Sequence, residues 1–243
     1  MILTIKNVSL ISTLLFLVSC SSLVQQETNV ANATKKASEA SQLNIIQRPI
    51  IYNDKREELS LEYLSTRYNM KMEKAKITPK MVVVHWTAIP SLQGSFNAFN
   101  EPMLPSFRDK ISSASQLNVS AHYLVDRDGT IYQLLPNTTF ARHVIGLNHS
   151  AIGIENVGNG SSLPLTTEQL AANVALIKHL SEEYPIEYVI GHYEYRHFAN
   201  HPLWKEVNPN YLTVKTDPGE KFIREIRLSL SELTLKDVPA LAK

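Results

Sequence analysis

The chain has 243 residues, is 44% hydrophobic, and carries 24 basic and 23 acidic residues for a formal net charge of +1. It is long enough to bury a core, and its interspersed charges leave no electrostatic footprint for nucleic acid or for an anionic membrane. A lone cysteine, Cys20, excludes an intrachain disulfide framework and a thiolate metal cluster, so any metal must be held by His, Asp or Glu.

Lys6 and the apolar stretch from Val8 to Val18, followed by small residues, have the layout of a secretory signal peptide, too short to span a bilayer. Leu17-Val18-Ser19-Cys20 resembles the lipobox of bacterial lipoproteins, in which the cysteine is acylated and becomes the new N-terminus. That resemblance implies a signal peptide over residues 1–19, lipidation at Cys20, and an exported protein anchored to a membrane by acyl chains. With Ser21 next, and no retention-type Asp, it further resembles lipoproteins sorted to the outer membrane when the host has two membranes. Residues 20–48 are rich in Ser, Asn, Thr, Gln, Ala and Lys, cannot bury enough apolar surface to fold, and read as a tether. Residues 49–243 remain as one folded domain.

Within it, Asp54 is placed to cap a helix carrying Leu59, Tyr63 and Leu64 on one face, before a turn near Lys76 to Pro79. Met81 to Val84 is a continuous apolar run suited to a strand buried on both faces, and it delivers His85-Trp86-Thr87 at its C-terminal end. Residues 88–118, with scattered prolines and polar groups, read as a long loop with some helix. The runs His122–Arg127 and Thr130–Leu135 flank Asp128-Gly129 and predict an antiparallel hairpin with a type I′ turn. Ala151–Val157 predicts another strand, and Thr166 with Gln169 a capping box opening a helix with Leu170, Val174, Ile177 and Leu180 inward. A short strand from Glu187 ends at His192. A final helix after Pro218-Gly219 spaces Phe222, Ile223, Ile226 and Leu230 on one face. The order predicts an α/β fold, a mixed central β-sheet with helices on both faces.

Three apolar strands thus end in His85, Glu155 and His192, and in open α/β sheets ligands bind beyond the carboxyl ends of strands. Taken singly, each histidine is equally a half-buried hydrogen-bonded side chain, and Glu155 a solvated strand end. Asp217, before Pro218, fits ordinary helix punctuation as an N-cap. Two imidazoles and one carboxylate also make a catalytic zinc shell that leaves the fourth tetrahedral position for water.

The segments His85-Trp-Thr-Ala, Ser120-Ala-His-Tyr-Leu-Val-Asp-Arg-Asp-Gly-Thr-Ile-Tyr-Gln, Ala141-Arg-His, Ser150-Ala-Ile-Gly-Ile-Glu-Asn, Ile190-Gly-His and Lys215-Thr-Asp-Pro-Gly resemble, in order, the type 2 N-acetylmuramoyl-L-alanine amidases. That family shares its fold with phage amidase lysozymes and peptidoglycan recognition proteins, and the resemblance runs from about residue 50 to 230. It implies zinc-dependent hydrolysis of the amide between N-acetylmuramic acid and L-alanine, in peptidoglycan or muropeptides, by a monomer. One zinc ion would be held by His85, His192 and Asp217, with Glu155 activating water and Lys215 the cation near the reacting carbonyl. His143 and Asn156 would contact substrate.

Compact members of the family place few residues between the second histidine and Lys-Thr-Asp, whereas here residues 193–214 intervene. This insertion contains His197 and His201, spaced for one helical face and a rival metal pair, though without the Glu of H-E-x-x-H. Two alternatives stand beside the amidase: a muropeptide-binding module on this fold, against which His85, His192, Asp217, Glu155 and Lys215 argue because such modules lack a complete zinc shell, and a zinc peptidase acting within the stem peptide.

Overall fold

The computed structural model describes residues 43–106 and 114–241. The expected signal peptide, Cys20 and most of the expected tether lie outside the described residues. In chain order the elements are β1 (Ile45–Gln47), α1 (Asp54–Tyr68), β2 (Met81–Trp86), α2 (Leu92–Asn100), β3 (Tyr123–Val125), β4 (Ile131–Gln133), β5 (Ala151–Asn156), α3 (Thr167–Glu183), β6 (Tyr188–Gly191), a 3-10 helix (His192–Phe198) and α4 (Glu220–Leu228).

The six strands form one mixed sheet in the order β1-β4-β3-β5-β2-β6. The β3–β4 pair is antiparallel and the other pairs are parallel. The strand at the heart of the site, β2, lies between β5 and β6 and is buried from Met81 to His85, which is why its sequence runs apolar without alternation. Its two faces are covered differently. Val82 and Val84, with Ile152 and Ile154, pack against Leu176, Ile177 and Leu180 of α3 and Phe222, Ile223 and Ile226 of α4. Met81, Val83 and Ala151, on the opposite face, pack against Val144 and Leu147 of a long loop and Tyr195 and Phe198 of the 3-10 helix. Because side chains alternate along a strand, His85 belongs to this second face and Trp86 to the first.

Several local expectations need correction. Ile45–Gln47, inside the stretch read as a tether, pairs in parallel with β4, because that strand would otherwise be a bare edge and Ile45 has core to pack against. The cap of α1 is Asn53, whose side chain accepts from Arg56 N at 3.1 Å, one residue before Asp54. The hairpin turn is not type I′, since Gly129 alone in it has positive φ, at 85°. Gly129 N donates to Asp126 O and Asp126 N donates to Thr130 O, the pattern of a type I turn followed by a glycine bulge. The capping box of Thr166 and Gln169 is present. Ile177 and Leu180 of α3 are fully buried, while Leu170 and Val174 are only partly so.

Candidate metal centre

Parallel pairing of β5, β2 and β6 brings the ends of all three strands to one edge. His85 is the penultimate residue of β2, and β6 runs directly into His192. Asp217 arrives from the turn before α4; that helix is capped by Gly219 without a side-chain bond, so Asp217 is not its N-cap. The backbone joins the two later arrivals, as Tyr193 N donates to Asp217 O at 3.1 Å.

The three side chains converge on one point. His85 Nδ1 and His192 Nδ1 are 2.9 Å apart, and Asp217 Oδ2 lies 3.1 Å from the first and 3.0 Å from the second. Atoms held at about 2.0–2.1 Å by a tetrahedral zinc stand about 3.3 Å from one another, so this triangle fits that ion with a small expansion. All three residues are buried, and the nitrogen and oxygen donor set suits zinc. Burial pushes His192 down to about 4 although Asp217 pulls the other way. Burial raises Asp217, but His192 and His85 outweigh it and hold the carboxyl below the usual range. At neutral pH, His192 is therefore neutral and Asp217 ionised, the forms in which a metal is bound.

Glu155 is paired in register with His85 across β2 and β5, and alternation puts both side chains on the same face. A cleft of about 130 Å³ opens beside the triangle, lined by His143, His192, Lys215, Tyr63, Tyr211 and Thr213 among others. Lys215 is thus at the edge of the site, two residues before Asp217.

The two residues expected to touch substrate differ. His143 does line the cleft, yet both its ring nitrogens are engaged inside the protein, Nδ1 with His85 Nε2 at 3.1 Å and Nε2 with Ala151 O at 3.2 Å. Burial first, then the neighbouring histidines, push its pKa well down. Asn156 is fully buried and does not reach the cleft. Its Nδ2 donates to His85 O at 3.0 Å and its Oδ1 accepts from Asn173 at 2.7 Å, because its place in β5 turns it under α3. It is corrected from a substrate contact to a brace for β2.

His197 and His201 make no second metal site. His197 Nδ1 pairs with Pro239 O at 2.8 Å, and His201 Nε2 with Tyr188 Oη at 3.2 Å, so the two rings serve different packing contacts. The insertion folds back over the loop at residues 143–148, where the Trp204 ring fills the space that a Cβ on Gly146 would need. Arg67 of α1 pairs with the buried Glu206 at 2.7 Å and stacks on Tyr211. Tyr211 and Thr213, which the sequence reading did not single out, thereby become a wall of the cleft.

A family model described as N-acetylmuramoyl-L-alanine amidase matches residues 75–220. No curated protein matches the chain. Among solved structures, the chain is similar to N-acetylmuramoyl-L-alanine amidase LysC from Clostridium intestinale URNW, at 21% identity and a TM-score of 0.50, over 79% of this chain and 99% of that one. It is also similar to a selenomethionine derivative of AmpD, at 24% identity and a TM-score of 0.46, over 76% and 93% of the two chains. Bumblebee PGRP-SA is similar at 18% identity and a TM-score of 0.48, over 81% and 99%. At such identities the likeness to LysC speaks to the fold alone.

Proposed function

Because the chain belongs to the N-acetylmuramoyl-L-alanine amidase family and is an amidase of peptidoglycan, we propose that it cleaves the bond between N-acetylmuramic acid and L-alanine with one zinc ion held by His85, His192 and Asp217. The observation that carries the zinc reading is the buried triangle of two imidazole nitrogens and a carboxylate oxygen, with edges of 2.9, 3.0 and 3.1 Å. When bound, zinc supplies a water whose pKa falls from 15.7 to about 7, together with polarisation of the scissile carbonyl.

The chain's own residues do the rest. Glu155, beside His85 on the same face of the sheet, takes the proton from the attacking water and returns it to the departing alanine nitrogen. Lys215, at the cleft, donates to the carbonyl oxygen as negative charge develops there, a contribution of about 3 kcal/mol for a preorganised donor. Ionised Asp217 balances charge at the triangle.

In this reading the protein is an exported, monomeric lipoprotein. Acyl chains on Cys20 hold it to a membrane, the outer membrane where the host has two, and residues from Cys20 onward tether the folded part to that surface.

Metal analysis of the purified protein combined with mass analysis of a peptidoglycan digest tests the proposal. One zinc per chain, intact glycan strands and newly freed L-alanine amines are expected, all digestion ceasing after chelation. Products cut within the stem peptide would overturn the amide assignment, and full activity after verified metal removal would overturn the zinc assignment.

A further inference from the structure

We propose that His143 is a positioning residue for the metal centre, holding His85 in the one tautomer and orientation that present its Nδ1 lone pair to the ion; this rests on the zinc reading above. The direction of the chain follows from its far end. A carbonyl oxygen only accepts, so His143 Nε2, 3.2 Å from Ala151 O, carries the ring proton. Neutral His143 then has its lone pair at Nδ1, 3.1 Å from His85 Nε2, and His85 Nε2 must be the donor. With Nε2 carrying the ring proton, the His85 lone pair falls at Nδ1, the atom at the corner of the triangle, and the Asp217 carboxylate takes its hydrogen bond from His192 Nδ1 at 3.0 Å instead. A ligating imidazole whose outer N–H is held in this way keeps its orientation and gains basicity.

Packing holds the relay from all sides. The His85 and His143 rings meet edge to face, with centroids 5.1 Å apart and planes at 89°. A Cβ on Gly153 of β5 would lie 2.8 Å from His143 Cγ, so the ring occupies the space that the glycine leaves. The backbone N of His143 donates to Asn148 Oδ1 at 2.9 Å, fixing the chain from which the ring hangs. His192 has no equivalent, since its buried Nε2 has no partner among the described residues. The ordering of the centre therefore falls on the His85 side.

The test uses the full-length protein with zinc alone as the probe. Affinity is measured by competition with a chelator for wild type, His143→Phe, which keeps a ring without the hydrogen bonds, and His143→Gln, whose amide can accept from His85 and donate to Ala151. The His85 tautomer in metal-free wild type is read by long-range 1H–15N NMR. Expected are an Nε2–H tautomer at His85, a 10- to 100-fold loss of zinc affinity in folded His143→Phe, and partial recovery in His143→Gln. A His85 ring protonated at Nδ1, or unchanged affinity in folded His143→Phe, overturns the proposal. Should that variant not fold, Gly153→Ala, which crowds the ring without removing it, must show the loss instead, and unchanged affinity there is equally fatal. Wild type that binds no zinc would defeat the zinc reading, while the tautomer measurement still decides the relay.

Discussion

His85 and Glu155 stand side by side in register on neighbouring parallel strands, while Asp217 reaches His85 from a separate turn at 3.1 Å. The proposed ligand and the proposed base thus sit on different elements, and their loss should differ in kind. Asp217→Ala is expected to lose zinc, and Glu155→Ala to keep zinc and substrate binding but lose turnover by at least about 100-fold. Zinc occupancy at limiting metal, paired with muropeptide cleavage, checks both. Metal lost from Glu155→Ala but retained with activity in Asp217→Ala would reverse the roles.

His122 predicts an acid-sensitive fold. Its Nε2 is 2.9 Å from Thr139 O, and its Nδ1 accepts from Gly153 N at 3.0 Å, so both nitrogens are committed to the neutral form. Burial lowers its pKa from 6.5 to about 4. Between those values the unfolded chain binds more protons than the native one, so stability falls as pH falls through this window. The loss through this one group is about 2 kcal/mol between pH 7 and pH 5. Urea unfolding of the metal-free protein should show it, and His122→Gln should flatten the slope by that amount; parallel pH profiles would refute the assignment.

Glu194 lies two residues after His192 and is gripped by both guanidinium arms of Arg227 from α4, the helix that follows Asp217, while its Oε2 accepts from Gly191 N. The pair therefore ties together the segments that carry two corners of the triangle. Arg227→Ala should cost about 2 kcal/mol, less than a fully buried pair because the arginine is partly exposed, and should weaken zinc binding as the His192 segment loosens. Thermal unfolding and chelator competition measure the two effects. A loss of stability with zinc affinity untouched would confine the pair to the fold.

Cys20→Ala should leave hydrolysis by the soluble protein intact and release it from membranes, because stable anchoring comes from acyl chains and not from the folded surface. Cell fractionation decides this. A variant that still sediments with membranes after a salt wash argues against lipidation.

Much of the sheet and two corners of the triangle are legible in the sequence for one physical reason, while Asp217, which reads locally as helix punctuation, is singled out only by the family resemblance. A strand buried on both faces must be continuously apolar, so His85 and His192 stand out where the apolar runs of β2 and β6 stop. The strand β1 was not legible, since three residues at an edge need no such run and are defined by the partner they find. The roles of His143 and Asn156 were equally hidden. Both sit in segments matching the family, but whether a polar side chain faces the cleft or braces its neighbour depends on contacts made across the sheet, such as Asn156 to Asn173 of α3.

The hydrogen bond from Tyr193 to Asp217 closes the intervening segment into a loop that leaves the end of β6 and returns beside it before α4 begins. For such a closed handle the entropy of joining its ends changes slowly with length, by about 0.6 kcal/mol for each doubling. Length is consequently cheap to change only at its exposed residues 207–210, since Tyr195 and Phe198 are buried against β2 and β6. Its returning limb, through Tyr211 and Thr213, lines the cleft, and Thr213 is tied back to Tyr195 by two hydrogen bonds of 2.7 Å. A change of length at those exposed residues alters the cleft wall from outside while leaving His85, His192 and Asp217 in place.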